Sequence, residues 1–528
     1  MARGELLNRE DSIKEIEQYP DVWDIIIIGG GATGLGAAVD SASRGFKTLL
    51  IEQGDFAKGT SSRSTKLIHG GLRYLQQGNI SLVMDALKER GILCQNAPHL
   101  VQHTPFLVPT YQWWEGPFYG VGVKVYDLLA GSLGLEPSGR ISRRATLKAF
   151  PNIEPDGLRG GVIYYDGQFD DARLAITLAR TFSSLGGIAI NYMRVTSLIK
   201  KAGFCVGVKV KDDQSGLSYV LRGKVVINAT GVFTDRIRAM DDGRSIPLIQ
   251  ASQGIHLVLP KRFQPGKTAL LVPHTQDGRV LFMVPWHDRV LVGTTDTPVK
   301  RISIEPKAQK KEISFVLQHA AAYLAEPPEG KDILSVFAGL RPLVKEKGDH
   351  DTASLSRDHT LVVSASGLIS IAGGKWTTYR KMGEDVINQA IEVAGLPKRE
   401  SITKNLPLHG FIEGVHPSEP LSCYGSESGL IKQLAKENPL YKQVIHRNLP
   451  YTRAEVIWAV RKEMARTVED VLSRRTRALL LDAKASIEAA PLVASMMALE
   501  LKQDTSWEKA QVEEYRQLSA NYVVDPTT

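Results

Sequence analysis

Gly29, Gly31 and Gly34 stand in the spacing G-x-G-x-x-G, enclose Ala32 and Thr33, and are followed by an acidic residue, Glu52. Such a set can hold a dinucleotide. The first glycine permits a tight turn, the second lets the backbone approach a pyrophosphate, and the third lets a helix pack closely on a strand. Backbone N–H groups at the helix start face the phosphates, and the carboxylate takes the ribose hydroxyls. In an arbitrary loop the same glycines would be plain turn chemistry. Here the aliphatic run Asp24 to Ile28 leads into them, Ala37 to Arg44 resumes with helical spacing, and Thr48 to Ile51 repeats the aliphatic run up to Glu52. That order is strand, turn, helix, strand.

The rest of the chain favours FAD over a nicotinamide. Gly59-Thr60-Ser61-Ser62-Arg63-Ser64-Thr65-Lys66 is a hydroxyl-rich loop suited to covering a pyrophosphate and a flavin ring, and it runs into His69-Gly70-Gly71-Leu72-Arg73-Tyr74. A plain nicotinamide domain has no use for it. Strands at Gly207 to Val210 and Lys224 to Ile227 end in the turn Asn228-Ala229-Thr230-Gly231. A third, Leu368 to Ala372, ends in Gly373-Gly374-Lys375-Trp376-Thr377-Thr378, which opens a helix through Ala394. The positive end of that helix would stabilise the anion of a reduced flavin, although helix capping and tight packing are the plainer roles for its glycines.

These elements need a scaffold of several packed domains, and 528 residues at 43% hydrophobic content supply it. The predicted class is α/β plus α. Residues 1–21 form an amino-terminal segment; 22–100, 152–245 and 333–398 form a discontinuous FAD-binding domain; 101–151 and 246–332 carry strands such as Ile255 to Leu259, Val280 to Val284 and Val290 to Val292 and form a substrate-binding sheet. From 399 to 528 helical patterns dominate, including Arg453 to Leu472 and Ile487 to Leu501.

Cys94, Cys205 and Cys423 are too scattered for a disulfide framework or a zinc site, and no metal is expected. The formal charge is +8, and basic residues thicken in the segment containing Arg461, Lys462, Arg466, Arg474, Arg475 and Arg477, but Glu455, Glu463, Glu469 and Asp470 are interleaved with them. That mixture reads as a solvated helix face and not as a stripe for nucleic acid. No apolar run is long enough to span a bilayer, so any membrane contact is expected to be peripheral. The acidic stretch Met1 to Asp21 argues against a secretory signal or a transit peptide, and a cytoplasmic location is expected.

The stretches Asp24 to Gly36, Thr60 to Tyr74, Asp170 to Leu174, Val226 to Gly231, Gly293 to Asp296, Gly339 to Leu343, Ser356 to His359 and Gly373 to Lys381 resemble those of the FAD-dependent glycerol-3-phosphate dehydrogenases, often called aerobic or membrane-associated. Glu455 to Asp482 is similar to that family's carboxy-terminal domain. The resemblance covers nearly the whole chain after the first twenty residues, and Lys66 to Tyr74 is far more specific than the glycine triplet. It implies an FAD-binding Rossmann-like domain of glutathione-reductase/D-amino-acid-oxidase type, an interleaved β-sheet substrate domain and a helical carboxy-terminal domain. It also implies oxidation of sn-glycerol 3-phosphate to dihydroxyacetone phosphate by hydride transfer to FAD, with electrons passed to a membrane quinone. No D-x-D-x-D-G calcium loop is present, which sets the chain apart from the calcium-regulated animal form and points to a bacterial-type enzyme without a presequence.

The same resemblance assigns Arg73, Arg341, Arg357 and Lys375 to the substrate phosphate and the developing oxyanion, where charge-assisted forks supply binding energy for orientation. His256 is the first choice of base, since imidazole suits neutral catalysis and strand alternation turns it away from the face of Ile255 and Leu257. His69 is the rival. Asp296 is expected to hold substrate hydroxyls or to cap a turn, and Tyr74 to add a hydrogen bond to substrate. The alternatives are a glycerol-3-phosphate oxidase using O2, an FAD amine or amino-acid oxidase, and a flavoprotein that keeps FAD for stability alone. A peripheral anionic membrane surface is a candidate partner for the basic tail, and a homodimer is left open.

Overall fold

A computed structural model of the chain describes residues 7–76, 78–275, 278, 280–345, 359–415 and 419–525, with the side chains of Arg73 and Gln76 outside that description. Two sheets organise it. In the first, the order is His359–Val363, Ile369–Gly373, Ser218–Asn228, Trp23–Ile28, Thr48–Ile51, Ile188–Ile190. All neighbours run parallel except the first pair. Parallel strands covered on both faces must be apolar throughout. Accordingly Ile25 and Ile27 pack towards the helices Ala32–Ser43, Asp171–Ser184 and Tyr379–Ala394, while Ile26 and Ile28 pack on the opposite side with Leu49, Val208 and Leu221. Helices Ala32–Ser43 and Tyr379–Ala394 cross backbone to backbone: a Cβ on Gly36 would stand 2.6 Å from the Tyr379 carbonyl oxygen, and one on Gly383 would stand 2.6 Å from the Gly36 carbonyl.

The second sheet runs Thr297–Pro298, Ile249–Pro260, Arg289–Gly293, Leu281–Trp286, Ala269–Val272, Val101–Thr110, Gly160–Phe169, Leu67–Ile68, with Ser335–Val344 paired to Ile249–Pro260. Its membership shifts the expected domain limits. Gly160–Phe169 and Ser335–Val344 had been placed with the nucleotide domain, yet they pair along their length with Val101–Thr110 and Ile249–Pro260. The segment after Val101 is also more helical than expected, with Glu115–Ala130 and Arg143–Ala149.

In the carboxy-terminal part the helical pattern expected from Arg453 to Leu472 is interrupted, and its first helix ends at Lys462. The Glu463 carbonyl accepts from Arg475 Nε (3.1 Å) and Nη2 (2.8 Å), and Met464 adopts φ 56°, so helical bonding cannot continue. A wide π turn, Asp470–Arg475, follows. The expected solvated basic face is also corrected: Arg474, Arg475 and Arg477 are buried. Arg474 Nε and Arg475 Nη1 each lie 2.5 Å from Asp55 Oδ2, and Arg477 Nη2 lies 3.1 Å from Asp171 Oδ1 and 2.8 Å from the Ser62 carbonyl. Asp55 and Asp171 belong to the nucleotide domain, so the carboxy-terminal part is bolted to it by charge.

Candidate functional site

The glycine turn is built as its spacing requires. Gly29 has φ 111°, and a Cβ there would come within 2.6 Å of the Ala229 carbonyl oxygen; at Gly34 it would come within 1.8 Å of the Gly29 carbonyl oxygen. Gly31 differs, because its Cβ would meet only Ser61 Oγ, at 3.0 Å, and its open side faces a cavity. Ser61 Oγ also accepts from the Ala32 N–H at 2.9 Å, which caps the helix start. Glu52 is fixed by the N–H groups of Gly30 (2.7 Å) and Gly54 (2.8 Å); burial raises its carboxyl against the pull of those donors.

This cavity is walled by Gly29, Gly31, Ala32, Thr33, Glu52, Thr60, Ser61, Ala229, Thr230 and Gly231 and continues to Gly374, Lys375 and Trp376. Its far wall holds residues that local motifs did not flag: Met193, Arg194, Val195, Phe233 and Arg236. A second cavity shares Thr60, Pro342 and the turn Gly373–Trp376 with the first, and adds His69, Tyr74, Thr65, Gly254, His256, Thr294, Arg341 and Thr377. The two adjoin along those residues and make one trough, which suits a dinucleotide with its redox ring at the shared wall. Gly373 and Gly374 take φ 79° and 77° there, and the helix Tyr379–Ala394, preceded by the turn Trp376–Thr378, points its positive end at that wall.

His256 sits on the strand Ile249–Pro260, 3% exposed, with Nε2 2.9 Å from Thr65 Oγ1 and its ring stacked on Phe337 at 5.0 Å. Burial, reinforced by the charges of Lys66 and Arg341, holds the imidazole well below its ordinary range and therefore neutral. Arg341 rests over Gly254, where a Cβ would come within 2.4 Å of its Nη2. It is held by Thr294 Oγ1 (3.1 Å), the Thr295 carbonyl (2.9 Å) and Asp296 Oδ1 (3.0 Å). Lys375 Nζ lies 4.0 Å from the centroid of the Tyr74 ring.

Several predicted residues stand elsewhere. Asp296, expected to hold substrate hydroxyls, is not on the cavity wall; its carboxylate is engaged by Arg341 and the Ser252 hydroxyl, which makes it a counter-ion of the arginine. Lys66 is sealed behind the trough, its Nζ 2.6 Å from Asp171 Oδ2 and 2.9 Å from the Ser62 carbonyl, and burial pushes its ammonium down to about 8 despite Asp171. Ser62 and Gly70 are likewise behind the wall, Gly70 donating to Tyr126 Oη at 2.7 Å, and Gly71, also off the wall, takes φ 84° beneath the Tyr74 ring. Arg357 and the side chain of Arg73 lie outside the described residues.

A parallel sheet with a glycine turn, a covering hydroxyl loop and a helix aimed at a cationic, histidine-bearing cleft defines a flavin-dependent oxidoreductase. Residues 24–380 match the family model described as FAD dependent oxidoreductase, and 401–511 match the C-terminal domain of alpha-glycerophosphate oxidase. The human mitochondrial glycerol-3-phosphate dehydrogenase is 40% identical over 97% of this chain and 76% of its own length. That of Arabidopsis thaliana is 38% identical over 94% and 86%. The crystal structure of the glycerol-3-phosphate dehydrogenase from Bacillus halodurans, complexed with FAD, superposes with a TM-score of 0.79 at 28% identity, covering 98% of each chain. The chain belongs to the FAD-dependent glycerol-3-phosphate dehydrogenase family, and FAD is its cofactor.

Proposed function

We propose that this chain oxidises sn-glycerol 3-phosphate to dihydroxyacetone phosphate and passes the electrons to a membrane quinone. The observation that carries the first part is that Arg341, Lys375 and His256 line one cavity, which shares Thr60, Pro342 and the turn Gly373–Trp376 with the nucleotide cavity. Arg341 and Lys375 supply the positive charge a dianionic phosphate and a developing oxyanion need. His256, kept neutral, is in the form that can accept a proton, and a bound phosphate dianion offsets the charge it then acquires. FAD, when bound, takes the hydride from C2. Anaerobic bleaching of the flavin by glycerol 3-phosphate, against far slower bleaching by glycerol at equal concentration, tests the assignment; an unchanged oxidised spectrum would overturn it.

The surface that suits a membrane is the helix Glu115–Ala130 and not the basic tail. Tyr119, Val123, Tyr126 and Ala130 face inward, while Trp114, Phe118, Val121, Val125 and Leu128 form a second apolar stripe in solvent, with Leu128 79% exposed and neighbouring Trp113 75% exposed. A water-facing helix carries polar residues on that side. Arg140 lies along Gly116 and Gly120 of this helix, and Arg143, Arg144 and Lys148 are exposed beyond it, a pairing of apolar and cationic groups that suits an anionic bilayer surface. No described helix is long and apolar enough to cross a membrane. Cosedimentation with phosphatidylglycerol vesicles should be lost in Phe118→Glu/Leu128→Glu; a wild-type dimer that the same pair makes monomeric, without vesicle binding, would assign the face to a second copy. Because residues 401–511 match a domain named for an oxidase, turnover with O2 alone must be compared with turnover on a quinone analogue.

A further inference from the structure

We infer that Thr65 relays the substrate's hydroxyl proton to His256, an inference that rests on the alcohol oxidation proposed above. The His256 ring cannot swing into the cleft. Phe337 stacks on it with an interplanar angle of 16°, and Gly293 lies so close that a Cβ there would stand 2.3 Å from Cδ2. Its Nδ1 is sealed from solvent with no hydrogen-bond partner among the described residues. The nitrogen left for chemistry is Nε2, and what stands against it is Thr65 Oγ1, at 2.9 Å. Thr65 is the less buried of the two and lines the same cavity as Arg341 and Lys375.

Thr65 is also held on both sides by one anchor. Ser64 donates to Asp171 Oδ2 from its N–H (3.0 Å) and hydroxyl (2.7 Å), and Lys66 Nζ reaches the same oxygen at 2.6 Å. A residue clamped between two such neighbours keeps its hydroxyl aimed with little conformational freedom to lose, which is what a positioned proton carrier requires.

In the step, the C2–H bond breaks with its electron pair leaving as hydride to FAD, the oxidant. The substrate O–H bond breaks, and its pair becomes the second bond of the ketone. The released proton goes to Thr65 Oγ1 as the proton already there moves to His256 Nε2. Substrate loses two electrons, FAD gains them, Thr65 is unchanged and His256 gains one proton.

The test compares Thr65→Val, which keeps the shape and removes the hydroxyl, with Thr65→Ser, which keeps the hydroxyl. Both are purified with FAD, loading is checked by the flavin absorbance, and substrate-driven bleaching is followed anaerobically. Thr65→Val should slow bleaching by about 10²-fold with the KM for glycerol 3-phosphate nearly unchanged, while Thr65→Ser should stay within about fivefold of the parent. The solvent deuterium isotope effect on bleaching should persist in Thr65→Ser and change in Thr65→Val. Bleaching of the valine variant at the parent rate, or equal impairment in the serine variant, would overturn the relay. If Thr65→Val loses FAD, Thr65→Ala takes its place under the same criteria. A parent enzyme that does not bleach at all would instead refute the proposed function.

Discussion

Replacing Arg341 by alanine separates what the guanidinium does for the substrate from what it does for the fold. Two of its contacts are to protein oxygens at 3.1 and 2.9 Å and a third is the 3.0 Å pair with Asp296, yet 21% of the side chain stays open to the cleft. If that open part makes two charge-assisted bonds to the phosphate, each contributing about 1.5–3 kcal/mol, the variant loses roughly 10²–10⁴-fold in kcat/KM. The loss should fall on glycerol 3-phosphate and spare the weak activity on glycerol, which has no dianion to grip. Stability falls too, because the Asp296 side chain, 2% exposed, loses the cation that neutralises it. Breaking a buried pair costs about 3–5 kcal/mol, and the partial exposure of Arg341 puts the effect at the lower end. Adding Asp296→Asn should restore much of the Tm without restoring kcat/KM. Equal fractional losses on the two substrates, or recovery of kcat/KM with Tm, would refute the phosphate role.

Gly31→Ala should fold with a Tm near the parent, since its new Cβ meets only Ser61 Oγ, but purify with little FAD; Gly34→Ala, facing a carbonyl at 1.8 Å, should lower Tm sharply as well. Burial opposes the charged form of Glu469, but Arg474 and Lys58 hold its carboxyl down to about 2 from 4.5. The native state therefore gains stability from this group above its unfolded range and loses it as pH falls from 4.5 towards 2, by about 3 kcal/mol in total. Glu469→Gln should flatten that part of a Tm–pH curve. Arg477→Met, which removes one of two cations from Asp171 and one of two donors from the Ser62 carbonyl and leaves Lys66 on both, should destabilise by about 1.5–3 kcal/mol and loosen FAD, read as release of free flavin on heating.

Local physics made part of this structure legible from residue order. The glycine turn, Glu52 and the strands around them were readable because each interaction closes within a few dozen residues. His256, Arg341 and Lys375 were readable as cleft residues through motif resemblance. The fate of Arg474, Arg475 and Arg477 was not, since alternating acids and bases at helical spacing look solvated when their real partners, Asp55 and Asp171, are hundreds of residues away. The Arg341–Asp296 pair was hidden for a related reason: a carboxylate after a Gly-Thr-Thr turn gives no hint that an arginine from another strand covers it. Met193, Arg194 and Phe233 carry no motif and reach the trough only because the sheet brings their strand ends beside Glu52 and Gly231. Gly160–Phe169 and Ser335–Val344 have the apolar texture of any covered strand, so their sheet could not be told from composition.

The bolts between Asp55, Asp171 and the arginines near residue 475 bear on how the protein is made. Asp171 can pair with Lys66 as soon as both are made, whereas the arginines that neutralise buried Asp55 leave the ribosome hundreds of residues after it, so a growing chain carries Asp55 without its cations until translation is almost finished. Stable loading of flavin is therefore expected late in biogenesis, and a chain cut short before Arg474 is expected to be a poor holder of its prosthetic group even though every residue of the glycine turn is present.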